Sequence, residues 1–396
     1  MKILLVSLSN RGGGASRAID SLAIALKENH IDVEMLTYDG VDTQEYSLHR
    51  INNNRLATYR FILKNKLSRW FMSFFDNPSH DYRSINIFPS PMLRRINQSD
   101  ADIVHIHWIG GEMMSISQIG RIKKPVVWTL HDSWMLHGCY HIEPHWYEPF
   151  QKAPKSNWLD KWVLKRKQKS FSKIKIHFTT PSHWLTTDFE NTYLNNGKNT
   201  SEAIRNVIDT TVWKPIPKDI ARQKLGFEDN KKHVLFIANN LLTSFNKGYQ
   251  HVQKLLDMCK EDNILFHFVG TDIKINNPKV EVHGKMWEAE KLAYYYSACD
   301  VTLQPSFWEN LSYVSVESIL CGTPILCFAT TGLDEIVENG INGYKARKFD
   351  VTDLYHGLKI LTNTSFEKPV HETIPDYLPE INIERYIKLY HKVLTK

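Results

Sequence analysis

The sequence predicts an α/β protein of two Rossmann-like domains, each a parallel sheet with crossover helices. Three observations predict it. Strand-like and helix-like segments alternate along the whole 396-residue chain, as they do where helices join parallel strands. The strand-like segments fall into two sets, divided near Asn206–Pro217 where prolines gather. The charge balance changes there too. Residues 1–200 carry 26 Lys/Arg against 18 Asp/Glu, and residues 201–396 carry 23 against 25. The expected division is a first domain at 1–206, a second at 207–372 and a closing helical segment at 373–396.

The elements follow in order. Lys2–Leu8 is an apolar run with the length of a buried strand, and Gly12-Gly13-Gly14 turns the chain after it. From Ala15 to Lys27, Ile19, Leu22, Ala23 and Leu26 share one face at helical spacing. Further strands are predicted at Asp32–Tyr38, Asp102–Ile106, Val126–Leu130 and Ile176–Thr180. The second set comprises His233–Ala238, Ile264–Val269, Val280–His283, Val301–Gln304 and Pro324–Phe328, with helices over Tyr249–Cys259, Trp287–Ala298 and Ser312–Leu320. At the end of the chain Ile383, Tyr386, Ile387, Tyr390, Val393 and Leu394 form one helical face. That face needs a docking surface, and the first domain is the candidate.

Composition narrows the class. The chain is 42% hydrophobic and 23% charged, which excludes wholesale disorder. No apolar run approaches the ~18 residues of a membrane span. The five cysteines include no C-x-x-C pair, so neither a disulfide framework nor a zinc ribbon is expected. A reduced, cytoplasmic protein is the reading.

The most informative stretch is Pro305-Ser306-Phe307-Trp308-Glu309-Asn310-Leu311-Ser312, where a strand ends, a loop carries Glu309 and a helix begins. Ligands of open parallel sheets bind beyond the carboxyl ends of strands. Helix N-termini offer unpaired N–H groups and partial positive charge to anions. The amides of Asn310, Leu311 and Ser312 therefore suit a diphosphate, Glu309 suits hydroxyls attached to it, and Glu317 suits a ribose. Taken alone, two glutamates at this spacing are more simply a helix cap and a solvated carboxylate.

Their surroundings change that balance. Cys321-Gly322-Thr323-Pro324-Ile325, Thr331-Gly332-Leu333-Asp334-Glu335-Ile336-Val337 and Asn339-Gly340-Ile341-Asn342-Gly343-Tyr344 follow in order. The run resembles the second-domain signature of family 4 glycosyltransferases, retaining nucleotide-sugar enzymes of GT-B fold, whose two domains face across a cleft. Weaker matches are Gly13-Gly14, Thr129-Leu130-His131-Asp132, Pro181-Ser182-His183-Trp184-Leu185, Asn206-Val207-Ile208-Asp209 and Lys247-Gly248. The resemblance implies that Glu309 faces the donor sugar, Glu317 the ribose and Lys247 the diphosphate. It further implies that the backbone around Gly284 and Lys285 holds the base, that Gly13 and Gly14 approach the phosphate or acceptor, and that His131 is the active-site histidine of the first domain. No metal and no cofactor beyond the nucleotide-sugar donor are expected. The implied acceptor is an oligosaccharide or lipid-linked sugar in surface polysaccharide assembly. Departures from the family pattern include Asn239-Asn240 where an arginine usually precedes the phosphate-binding lysine, and Cys139 standing alone where relatives carry several cysteines.

Two rival readings remain. His105, His107 and His131 at strand ends could bind a metal in a hydrolase, or the chain could be a non-catalytic GT-B-like protein that binds sugar nucleotides. The basic stretch 55–75 also has two readings. Leu56, Tyr59, Leu63, Leu67, Trp70 and Phe74 share a helical face flanked by Arg60, Lys64, Lys66 and Arg69. Either the apolar face is buried, or the helix lies on the anionic inner face of the cytoplasmic membrane. A second basic helix at 158–175 suits acceptor phosphates. The positive charge is too local for a nucleic-acid partner to be expected.

Overall fold

The computed structural model describes residues 1–75, 77, 82–147, 158–239, 241 and 244–395. Two compact units emerge: Met1–Val207 with Pro379–Lys396, and Ile208–Leu378.

The first unit contains β1 (Lys2–Ser7), α1 (Gly14–Glu28), β2 (Asp32–Thr37), β3 (Ser47–Arg50), α2 (Arg55–Met72), α3 (Met92–Gln98) and β4 (Ile103–Ile106). It continues through α4 (Ile116–Ile119), β5 (Val126–Thr129), α5 (Trp158–Phe171), β6 (Ile176–Thr180), α6 (His183–Glu190) and β7 (Thr200–Ala203). The sheet order is β3-β2-β1-β4-β5-β6-β7, with every pairing parallel. The chain runs one way from β1 to β2 and β3, then returns to start β4 on the other side. The crevice between the carboxyl ends of β1 and β4 is therefore a topological switch point.

The second unit contains α7 (Lys218–Leu225), β8 (Lys232–Ile237), α8 (Tyr249–Met258), β9 (Ile264–Val269), β10 (Val280–Val282), α9 (Ala289–Ala298) and β11 (Val301–Gln304). Then come α10 (Tyr313–Leu320), β12 (Ile325–Phe328), α11 (Thr331–Ile336), β13 (Gly343–Ala346) and α12 (Val351–Leu361). The order β10-β9-β8-β11-β12-β13 is again parallel throughout. Its switch point lies between β8 and β11.

The central strands form because their apolar runs are covered on both faces: β4, β5, β6, β9, β11 and β12 are buried at every position. Three strands that the sequence pattern does not announce, β3, β7 and β13, all lie at sheet edges. Their one-sided burial leaves them polar or glycine-containing, so no apolar run marks them.

The final helix, α13 (Pro379–Leu394), returns to the first unit. Ile383, Tyr386, Leu389, Tyr390 and Val393 join a core cluster with Ile3, Leu5, Ile19 and Leu22. Each such burial stabilises by roughly 1.5–3 kcal/mol. Leu394, expected on the same face, is exposed.

Helix α2 overturns the buried-face reading. Leu56, Tyr59, Leu63, Leu67, Trp70 and Phe74 are 42–67% exposed. The helix docks instead through Phe61, Asn65, Ser68 and Met72, spaced i, i+4, i+7, i+11. Phe61 stacks on Tyr38 at 4.2 Å, and Ser68 Oγ donates to Glu112 Oε1 at 2.8 Å. Among the described residues no helix is long and apolar enough to cross a membrane.

Candidate active site

In the second unit two of the predicted residues, Lys247 and Glu309, meet on the loops after β8 and β11, the strands that flank the switch point. The loop after β8 turns at Gly248, whose φ is +69° and where a Cβ would lie 2.0 Å from the Pro305 carbonyl oxygen; only glycine fits. This turn sets Asn246 and Lys247 against the loop after β11. Asn246 Nδ2 donates to the Trp308 carbonyl at 2.8 Å, and Trp308 N donates to Asn246 Oδ1 at 2.9 Å. The reciprocal pair fixes the register of the two loops. Lys247 Nζ then meets Glu309 Oε1 at 2.7 Å, and Gln304 Nε2 donates to the same oxygen at 3.1 Å.

The other side of the loop is held by α11. Glu309 N donates to Thr331 Oγ1 at 2.9 Å, and Gly332 N to the Glu309 carbonyl at 2.9 Å. Thr331 has φ +45°, a conformation that a β-branched residue keeps only when its surroundings enforce it. A Cβ on Gly332 would lie 1.9 Å from the Asn310 carbonyl oxygen. The Glu309–Asn310 segment is thus held by the start of α11, through the Thr331 hydroxyl and the Gly332 backbone.

Ser312 caps α10, its hydroxyl accepting from Ser315 N at 3.2 Å. Glu309 is therefore not the helix cap; it lies on the loop that leads into α10, its carboxylate paired with Lys247. Leu311 and Asn310 are buried in the approach to that terminus. Glu317 is not the solvated carboxylate of the simpler reading: it is 1% exposed and accepts from Tyr296 Oη at 3.0 Å. Gly284, with φ +72°, follows β10 and accepts from Gly270 N at 2.8 Å. Lys285 N donates to Asp272 Oδ1 at 3.3 Å. Asn239 is described, whereas Asn240 lies outside the described residues.

In the first unit, Gly13 caps α1 and Gly14 opens it, both exposed after β1. The left-handed position in this turn belongs to Gly12, at φ +115°. His131 follows β5, and its Nε2 lies 2.8 Å from His107 Nδ1. Burial outweighs the neighbouring Asp132 and lowers His131 to about 4, which favours the neutral imidazole near pH 7. Burial pushes the Asp132 carboxyl up, but His141 and hydrogen bonds from Trp134 N and Trp108 Nε1 outweigh it and hold the group below the carboxylate range. Those contacts are 2.6 Å to His141 Nδ1, 2.7 Å to Trp108 Nε1 and 2.9 Å to Trp134 N.

The metal-hydrolase trio does not assemble. His105 spends one ring nitrogen on Tyr390 Oη at 2.7 Å and the other on Thr129 Oγ1 at 2.8 Å. Sequence reasoning missed Asn246, Gln304 and Thr331. Asn246 directly precedes the predicted Lys247, and Gln304 ends a predicted strand, so adjacency to chemistry was the available signal.

Two family models match the chain: "Glycosyltransferase Family 4" over residues 12–212 and "Glycosyl transferases group 1" over residues 217–371. The first alone covers more than half of the chain. The protein belongs to glycosyltransferase family 4. One relative of this family 4 protein is an uncharacterized 41.2 kDa protein in the cps region of Klebsiella pneumoniae, 26% identical over 121 residues, or 29% of this chain and 33% of that one. The first curated relatives are matched over less than half of their own length. Among solved structures, Anabaena HepE in complex with UDP superposes with a TM-score of 0.69 at 15% identity, covering 99% of this chain and 100% of that one. WaaG, a glycosyltransferase involved in lipopolysaccharide biosynthesis, gives 0.62 at 16%, covering 97% and 99%. Likenesses at such identity establish the fold, which is GT-B.

Proposed function

We propose that this family 4 protein is a retaining, metal-independent glycosyltransferase that moves a sugar from a nucleoside diphosphate to an acceptor hydroxyl. The observation that carries the reading is the Lys247–Glu309 pair, 2.7 Å apart, beside the N-terminus of α10 at a switch point. A diphosphate at that terminus gains partial positive charge from the helix and a full charge from Lys247. Lys247 can then pass from Glu309 to the diphosphate, which frees the carboxylate for the sugar hydroxyls. Glu317 accepts from the ribose, and the backbone at Gly284 and Lys285 holds the base. In the first unit, His131 and the Gly13-Gly14 turn serve the acceptor or the donor phosphate.

The donor C1–oxygen bond breaks and the diphosphate leaves with the electron pair, its charge stabilised by Lys247 and the helix. The acceptor oxygen bonds to C1 on the same face and gives its proton to a departing phosphate oxygen. HepE, crystallised with UDP and with UDP-glucose, and starch synthase IV, bound to ADP, support a nucleoside-diphosphate donor. Surface polysaccharide assembly on a lipid carrier is the proposed setting, in keeping with WaaG, a structural neighbour involved in lipopolysaccharide biosynthesis. The exposed apolar and basic α2 supports contact with an anionic bilayer, and no nucleic-acid role is proposed.

The test is a thermal-shift screen against nucleotide sugars, followed by turnover with the best donor in excess chelator. Turnover persists in chelator, and the product keeps the donor's anomeric configuration. Glu309→Ala cuts turnover at least a hundredfold while nucleotide affinity changes less than fivefold. Equal losses of affinity and turnover would remove Glu309 from the sugar.

A further inference from the structure

A second cluster lies across β8, β9 and β10 of the second sheet, and its side chains have no assigned role in the proposed transfer. His233 on β8, His267 on β9 and His283 just after β10 form a row. Glu281 on β10 is paired with His267 across the ladder, so both side chains stand on one face of the sheet.

Hydrogen bonding assigns the protons. His233 Nε2 lies 2.8 Å from the Glu228 carbonyl oxygen. A carbonyl only accepts, so this nitrogen carries the hydrogen and His233 Nδ1 keeps its lone pair. His267 Nε2, 2.8 Å from that lone pair, is therefore the donor. That leaves the lone pair of His267 Nδ1 directed at the outer strand. Three atoms converge there: His267 Nδ1 to His283 Nε2 is 2.9 Å, His267 Nδ1 to Glu281 Oε2 is 3.4 Å, and His283 Nε2 to Glu281 Oε2 is 3.8 Å. Ligands about 2.0–2.1 Å from a tetrahedral zinc are separated by about 3.4 Å, which these spacings bracket.

We propose that His267, His283 and Glu281 bind a zinc ion that fastens edge strand β10 to β9. Two imidazoles and one carboxylate suit zinc rather than magnesium or calcium, which favour all-oxygen sets. His233 supplies the outer hydrogen bond that usually orients a ligating histidine. Phe227 lies flat on His267, with ring centroids 3.9 Å apart and planes 9° apart, and screens the buried side. His267 is fully buried and Glu281 half exposed, so the ion enters from the solvent side at β10. The ion clamps the strand that ends at the Gly284 turn. Its loss is expected to lower stability.

The test uses the full chain, freed of metal by chelator. Zinc titration by calorimetry gives one tight equivalent and raises the thermal midpoint. Cobalt in its place gives the intense visible bands of a tetrahedral site. Glu281→Gln, at a half-exposed edge position, and His283→Ala each weaken zinc binding at least tenfold and abolish the bands. His391→Ala, at an exposed histidine of α13, changes neither. Zinc stoichiometry and affinity unaltered in both Glu281→Gln and His283→Ala, or only weak octahedral cobalt bands in the unmodified protein, would overturn the assignment.

Discussion

His137 meets two carboxylates, Glu143 at 2.7 Å and Asp188 at 3.5 Å. Burial alone would lower its pKa, but the two partners outweigh burial and raise it from 6.5 to about 9. Burial would raise Glu143, yet His137 and His145 lower it to about 2. The signs give a window. The His137 contribution is fully present below about 6.5 and is lost as pH rises through about 9. The Glu143 contribution is present above its ordinary value and lost as pH falls through about 2. Thermal melts of His137→Gln should fall several degrees below the unmodified protein near pH 6, and the gap should close near pH 9.5. A gap constant over that range would mean that His137 contributes by packing alone. Neighbouring histidines show what residue type conceals. His105 and His107 are two positions apart on one strand, yet the first is spent on Thr129 and Tyr390 while the second pairs with His131. Nothing local in the chain separates those fates, because each depends on which element lies across from the ring.

Helix α2 carries its information in which side it leaves uncovered. Arg60, Lys66 and Arg69 stand exposed with Tyr59, Leu63, Trp70 and Phe74, and the helix contains no acid. On an anionic bilayer each basic residue contributes about 1 kcal/mol near the surface, and the aromatic side chains insert at the headgroup level. Changing Arg60, Lys66 and Arg69 together to Glu should abolish sedimentation with phosphatidylglycerol-containing vesicles. The melting temperature should stay within two or three degrees, since these side chains are solvated. Undiminished vesicle binding would end the membrane reading. Periodicity finds the apolar face of α2 but not whether protein or something else covers it. Apolar runs likewise reveal strands buried on both faces and pass over β3, β7 and β13, which have a neighbour on one side only.

Over the whole chain, α13 decides where the first unit ends. It is separated from the rest of that unit by the entire second unit, yet Tyr386 and Tyr390 are buried against the first sheet, and Tyr390 Oη satisfies His105 Nδ1 at 2.7 Å. Truncating a buried aromatic costs about 3–5 kcal/mol, and an orphaned buried ring nitrogen costs about 1–3 kcal/mol. Tyr390→Ala should therefore lower unfolding stability of the first unit by about 3–5 kcal/mol, measured by urea denaturation, with Tyr390→Phe losing only about 1–3 kcal/mol. A loss below about 1 kcal/mol in Tyr390→Ala would show that α13 does not hold that core. By itself the sequence determined the two parallel-sheet sets, the loop that carries Glu309 and the helix start beyond it, because apolar runs and helix-start signals are local properties. Only the tertiary structure decided that Lys247 and Glu309, 62 positions apart, form a pair, that α2 shows its apolar face, and that His267, Glu281 and His283 converge. Such pairings depend on which strands and loops become neighbours, and that follows from the burial of the whole chain rather than from any one segment.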